Sequence, residues 1–133
     1  MRQVRVLIVD DAPEVGQALR TLLPLAGTAA GLEVEVVGLA HDGKGAVEQT
    51  VALGPDVVLM DLEMPEMDGC AATQSIKAHR PLTRVVVLTV HGDPACRDKT
   101  REAGADEFVE KGVSITALLE TIAGNPPKSA EEV

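Results

Sequence analysis

Residues 57–69 read VVLMDLEMPEMDG: an unbroken apolar run that stops on one carboxylate, Asp61, before a turn marked by Pro65 and Asp68-Gly69. Four apolar residues in succession, with no polar alternation, are what a strand shows when both of its faces are covered. That is the situation in a parallel sheet layered between helices. Similar β-branched runs occur at VRVLIVD (4–10), VEVVGLA (34–40), DVVLMDL (56–62), RVVVLTV (84–90) and, more weakly, EFVEK (107–111). Between them, small and aliphatic residues return at three- and four-residue spacing over 14–23, 43–53, 69–79, 94–103 and 115–123, the pattern of helices. Strand and helix thus alternate five times. The order predicts an α/β fold, a flavodoxin-like doubly wound (βα)5 domain whose parallel five-stranded sheet has the strand order 2-1-3-4-5.

Helix-capping chemistry is expected at DAPE (11–14), MDG (67–69) and GDP (92–94). The Gly- and Ala-rich PLAGTAAGLE (24–33) reads as a long, mobile connection. One domain is expected over 1–123, and 124–133, where Pro, Ser, Lys and Glu displace the apolar pattern, reads as a linker-like tail.

A chain of 133 residues is one domain by length and can bury a core. Phe108 is its only aromatic residue, which excludes an aromatic platform for single-stranded nucleic acid. With 12 Lys and Arg against 21 Asp and Glu, the net charge of -9 argues against phosphate-backbone binding by this domain. Cys70 and Cys96 have no metal-type spacing and read as reduced thiols. No signal-type or membrane-length apolar run is found, so a soluble cytoplasmic protein without membrane association is expected. DGKGA (42–46) lacks the spacing of a phosphate loop, and His41, His79 and His91 form no ligand set.

In a doubly wound sheet, ligands bind beyond the carboxyl ends of the strands, near the switch in strand order. Those ends carry Asp10-Asp11, Asp61, Thr89 and Lys111. Each has an ordinary explanation: Asp11 with Glu14 as a helix cap, Thr89 as a hydroxyl bonded to backbone, Lys111 as a solvated charge. Their convergence on one edge favours a site instead. Three carboxylates about 5 Å apart repel by about 3 kcal/mol per pair at an effective dielectric near 20, so the cluster calls for a cation. Hard oxygen ligands with room for water suit Mg²⁺.

The acidic pair after the first strand, VLMDLEMPEMDG (58–69), VVVLTV (85–90) and GADEFVEKG (104–112) together resemble the receiver domain of two-component response regulators over residues 4–122. The resemblance implies that Asp61 accepts a phosphoryl group from a sensor histidine kinase in a Mg²⁺-dependent reaction. Asp11, Asp61 and the backbone carbonyl of Glu63 would bind the metal directly, and Asp10 would act through water. Thr89 and Lys111 would contact the phosphoryl oxygens, with Thr89 and Phe108 forming the switch. The protein would be no enzyme beyond its own phosphorylation and dephosphorylation. EKGVSITALLETI (110–122) resembles receivers of the NarL/LuxR class, which implies control of transcription, with DNA contacted only through a C-terminal helix-turn-helix domain not in this chain. A homodimer is compatible with that class.

The sequence departs from the family pattern at three positions. Gly112 stands where many receivers have proline, and Val90 where the family has a smaller residue. Phe108 lacks a hydroxyl, so it either reports by burial or simply fills the core. A stiff Val90 leaning over the pocket would narrow the approach to Asp61, and Glu63 and His91 would be the next residues able to reach an attacking water. Two rival readings compete with this one: a phosphatase of the haloacid-dehalogenase type and a pseudo-receiver used only for contacts. The first resembles an early DxD motif with the acidic pair last, the reverse of the order here; the second sits poorly with a full set of five site residues.

Overall fold

A computed structural model of the protein describes residues 2–62, 69–89 and 94–124, leaving aside the side chain of Cys96. The elements are β1 (Arg2–Val9), α1 (Pro13–Ala29), β2 (Leu32–Ala40), α2 (Gly43–Leu53), β3 (Val57–Asp61), α3 (Gly69–His79), β4 (Arg84–Thr89), α4 (Pro94–Glu102), β5 (Glu107–Glu110) and α5 (Ile115–Ala123). All strand pairs are parallel, in the order β2-β1-β3-β4-β5, as the alternation of strand and helix predicts.

The apolar runs fall where they can be covered on both sides. Every residue of β3 is buried, and so is all of β4 after Arg84. Successive side chains on a strand point to opposite faces, and the core divides accordingly. Val6, Ile8, Leu59 and Val86 pack with Leu23 of α1 and Ile122 of α5. Leu7, Val58, Met60 and Val87 pack on the other face with Ala46 of α2 and Ile76 of α3.

The segment 24–33 is not the mobile connection expected of it. Helix α1 continues through Pro24 to Ala29, and only Ala30 and Gly31 separate it from β2. Proline cannot donate to the carbonyl of Arg20, but Arg20 lies on the exposed side, where water can satisfy that carbonyl. The extension is held by packing: Leu23 and Gly27 are buried one turn apart, and a Cβ on Gly27 would come within 2.7 Å of the Leu32 carbonyl and 2.8 Å of Val34. Tertiary contact outweighs the weak helix propensity of a Gly- and Pro-containing segment.

The cap expected from DAPE is also different. The N-cap of α1 is Ala12, with no side-chain cap, and Pro13 takes the first helical position, where its missing N–H is no loss. Asp11 is therefore not a cap. The turns at 67–69 and 92–94 lie outside the described residues except for Gly69 and Pro94.

Candidate functional site

Strands β1 and β3 are neighbours although β2 lies between them in sequence, so their carboxyl ends flank the switch point. Asp10 follows β1 and Asp61 ends β3, and with Asp11 they offer carboxylate oxygens all within 4.8 Å of one another. Asp61 is only 1 % exposed and Asp10 4 %, whereas Asp11 faces solvent. Lys111 Nζ stands 3.0 Å from Asp61 Oδ1, so it is not the solvated charge of the ordinary reading. Its amide donates to the Thr89 carbonyl at 2.9 Å, which ties the loop after β5 to the end of β4 and places Lys111 over the carboxylate. Thr89 is buried as the last residue of β4.

One lysine against three carboxylates leaves the site electronegative. Asp10 Oδ1 accepts from the Ala12 amide at 2.9 Å, but its buried Oδ2 has no hydrogen-bond partner. Burial pushes the Asp10 carboxyl above its ordinary value of 3.8, with Asp61 and Asp11 adding to the push and the Ala12 amide and Lys111 opposing it. An orphaned buried carboxylate oxygen beside two further hard oxygens fits a small divalent cation. Asp10, Asp11 and Asp61 are the residues that would hold it.

The raised Asp10 value has a measurable consequence. The folded state holds this proton more tightly than the unfolded chain, so the stability that the Asp10 carboxyl contributes is present below its ordinary value of 3.8 and is lost as pH rises through its raised folded-state value. Asp10→Asn is therefore expected to melt higher than the wild type at pH 7 in chelator. The gap should close as the buffer is taken below pH 4. Equal melting temperatures at pH 7 would show that the ionised carboxylate costs nothing.

Gly112 has φ +99°, a left-handed conformation closed to proline, whose ring fixes φ near -65°. The departure from the family's usual proline is thus what this loop requires. Glu63, Val90 and His91 lie outside the described residues. Phe108 is half-buried against the second core cluster, and the Arg101 guanidinium of α4 lies 5.5 Å from its ring centroid. Arg97, one turn earlier, pairs with Glu110 at 3.7 Å. Neither arginine stands out in the sequence, because α4 is rich in charged residues and any of its basic residues reads as a solvated charge.

Strand order and an acidic, lysine-paired pocket at the switch point define a flavodoxin-like α/β domain built around a buried aspartate. The chain belongs to the response regulator receiver domain family, whose model matches residues 6–123. The chemotaxis protein CheY of Thermotoga maritima is 36% identical over 89% of this chain and 93% of its own length. A protein-glutamate methylesterase/protein-glutamine glutaminase of Carboxydothermus hydrogenoformans is 39% identical over 84% of this chain, which spans only 30% of that protein. The receiver domain of the putative response regulator NarL from Mycobacterium tuberculosis superposes with a TM-score of 0.78 at 32% identity, covering 94% of this chain and all of that domain. The protein is thus a receiver domain of two-component signalling, a signalling domain shared by regulators with different outputs.

Proposed function

We propose that Asp61 is the phosphoacceptor of this domain and that a histidine kinase is its donor. The observation that carries the reading is the buried Asp61 carboxylate held 3.0 Å from Lys111 inside the acidic cluster. A carboxylate oxygen of Asp61 attacks phosphorus; the new O–P bond forms as the P–N bond to the donor imidazole breaks, and the imidazole keeps that electron pair and takes up a proton. Lys111 neutralises charge on the equatorial oxygens, and the Thr89 hydroxyl can turn to donate to one of them. Bound Mg²⁺ would supply further positive charge at those oxygens, held by Asp11, Asp61 and the Glu63 carbonyl, with Asp10 acting through water.

The domain is taken as residues 1–123, with 124–133 as a linker. The NarL-like ending at 110–122 favours transcription as the output, through a DNA-binding domain beyond this chain. Among the described residues no helix is long and apolar enough to cross a membrane, in keeping with a cytoplasmic partner of a sensor kinase. The test is phosphotransfer from an autophosphorylated histidine kinase. The label should move to this chain and be released by hydroxylamine, which cleaves acyl phosphates but not phosphoserine or phosphothreonine; a hydroxylamine-stable label would rule out an aspartyl phosphate.

A shift of Thr89 toward the phosphoryl group vacates space into which Phe108 can turn, so phosphorylation would shift a pre-existing equilibrium. Arg101 opposes this by holding the ring in its resting place. A cation–π contact at an exposed site is worth about 0.5–1 kcal/mol, so Arg101→Ala should raise the inward population of the unphosphorylated domain about two- to five-fold. NMR shifts of the Phe108 ring and of α4 amides report that population. Shifts unchanged by the substitution would show that the stack does not hold the ring.

A further inference from the structure

At the end of the sheet opposite the acidic pocket, where the strands begin, an open cavity of about 540 Å³ lies between β1, the turn before β3 and the segment that joins α3 to β4. Its lining gathers Arg2, Arg80, Arg84 and His79, with Asp56 as the one acidic residue among the described lining. With His79 neutral that lining carries a charge of +2, in a chain whose net charge is -9. Arg84 donates to the carbonyls of Ile122 and Thr121 at 2.9 and 2.8 Å, and Arg2 donates to that of Ala123 at 2.6 Å, so the end of α5 fixes both guanidiniums. Arg80 lies against Gly54, the left-handed C-cap of α2, where a Cβ would come within 2.9 Å of its Nη2. Its side chain is exposed and makes no hydrogen bond or ion pair among the described residues. Helix ends position such groups, but each end offers only about half an elementary charge, so the positive charge gathered here is largely uncompensated.

We infer that this cavity binds a small organic phosphomonoester as its dianion. The charge of the lining matches that of the ligand. The guanidiniums come from three elements, β1, the end of α3 and the start of β4, and each keeps N–H donors that the helix ends do not use. A tetrahedral phosphate accepts from several directions at once, whereas a planar carboxylate is satisfied by a single fork. The one carboxylate present is already engaged, since Asp56 Oδ2 accepts from the Arg5 amide at 2.9 Å. The volume lies in the range of small-molecule sites and leaves room beside a phosphate. Val4, Val57 and Ile122 give that room an apolar wall, and Leu82, 94% exposed, stands at its rim. No aromatic side chain lines the cavity, so an aliphatic or small-ring ester suits it better than a nucleobase that needs stacking.

The test is an NMR titration of the whole chain with phenyl phosphate, in chelator and without Mg²⁺, so that its outcome is independent of phosphorylation at Asp61. Phenyl sulfate, of the same shape with one charge fewer, and inorganic phosphate, which lacks the ring, are titrated beside it. Phenyl phosphate should shift the backbone amides of residues 54–57 and 82–84 with a Kd below about 1 mM, and each comparison anion should bind at least about tenfold more weakly. Arg80→Gln should weaken phenyl phosphate at least about tenfold, because it removes the guanidinium whose donors are unspent. Arg80 is exposed, and a preserved melting temperature shows that the fold is intact. Arg20→Gln, which removes one positive charge from the exposed side of α1, should leave the affinity unchanged. No saturable shift up to about 10 mM overturns the inference, and so does equal affinity for either comparison anion. Shifts confined to Asp10–Ala12 and Lys111 would put the anion at the other end of the sheet and overturn it as well. An affinity untouched by Arg80→Gln, or lowered as much by Arg20→Gln, would deny the site its named ligand group and overturn it equally.

Discussion

Asp11→Ala is expected to weaken Mg²⁺ binding about 100-fold while leaving the fold in place. Asp11 is the exposed member of the cluster and caps no helix, so removing it takes away a ligand without opening a cavity or stranding a partner. A carboxylate in a pocket of this size contributes about 3 kcal/mol of attraction even to a single positive charge at an effective dielectric near 20, and each 1.4 kcal/mol is tenfold in affinity. Asp10 does not replace it, because one of its oxygens is engaged by the Ala12 amide. Calorimetric titration with Mg²⁺ at pH 7 measures the loss, and phosphorylation by a small donor should slow with it. Undiminished affinity in the variant would place the metal away from this cluster.

The fold was legible because the three central strands each carry an unbroken apolar run, LIV in β1, VVLM in β3 and VVVL in β4, the pattern expected of a sheet covered on both faces. Topology then brought Asp10, Asp11, Asp61, Thr89 and Lys111 to one edge, since each stands at or just past the carboxyl end of a strand. What could not be read was set by contacts distant in sequence. Helix α1 passes through Pro24 because Leu23 and Gly27 find a surface to pack on, a fact carried by β2 and not by the segment itself. The cap at Ala12 follows from Pro13 at the first helical position, and it releases Asp11 for the pocket. Arg101 over Phe108 joins a polar helix to an edge strand, and nothing in either segment announces the pairing.

The domain's resting state is poised between costs. Three carboxylates share the pocket with one lysine, and burial disfavours the charge on Asp10; a phosphoryl group on Asp61 would replace one negative charge with close to two and draw Thr89 and Lys111 toward it. The Arg101–Phe108 stack and the exposed Arg97–Glu110 pair, each a weak contact, join α4 to β5.

All of this depends on Asp61 being the group that is modified. Incubation with acetyl phosphate and Mg²⁺, followed by intact-mass measurement, tests it most directly on wild type and Asp61→Asn side by side. Asparagine keeps the size of the side chain and an oxygen for Lys111 but is not a nucleophile toward phosphorus. The wild type should gain the mass of one phosphoryl group per chain and the variant none; equal gain by both would contradict the assignment of Asp61 as the phosphoacceptor.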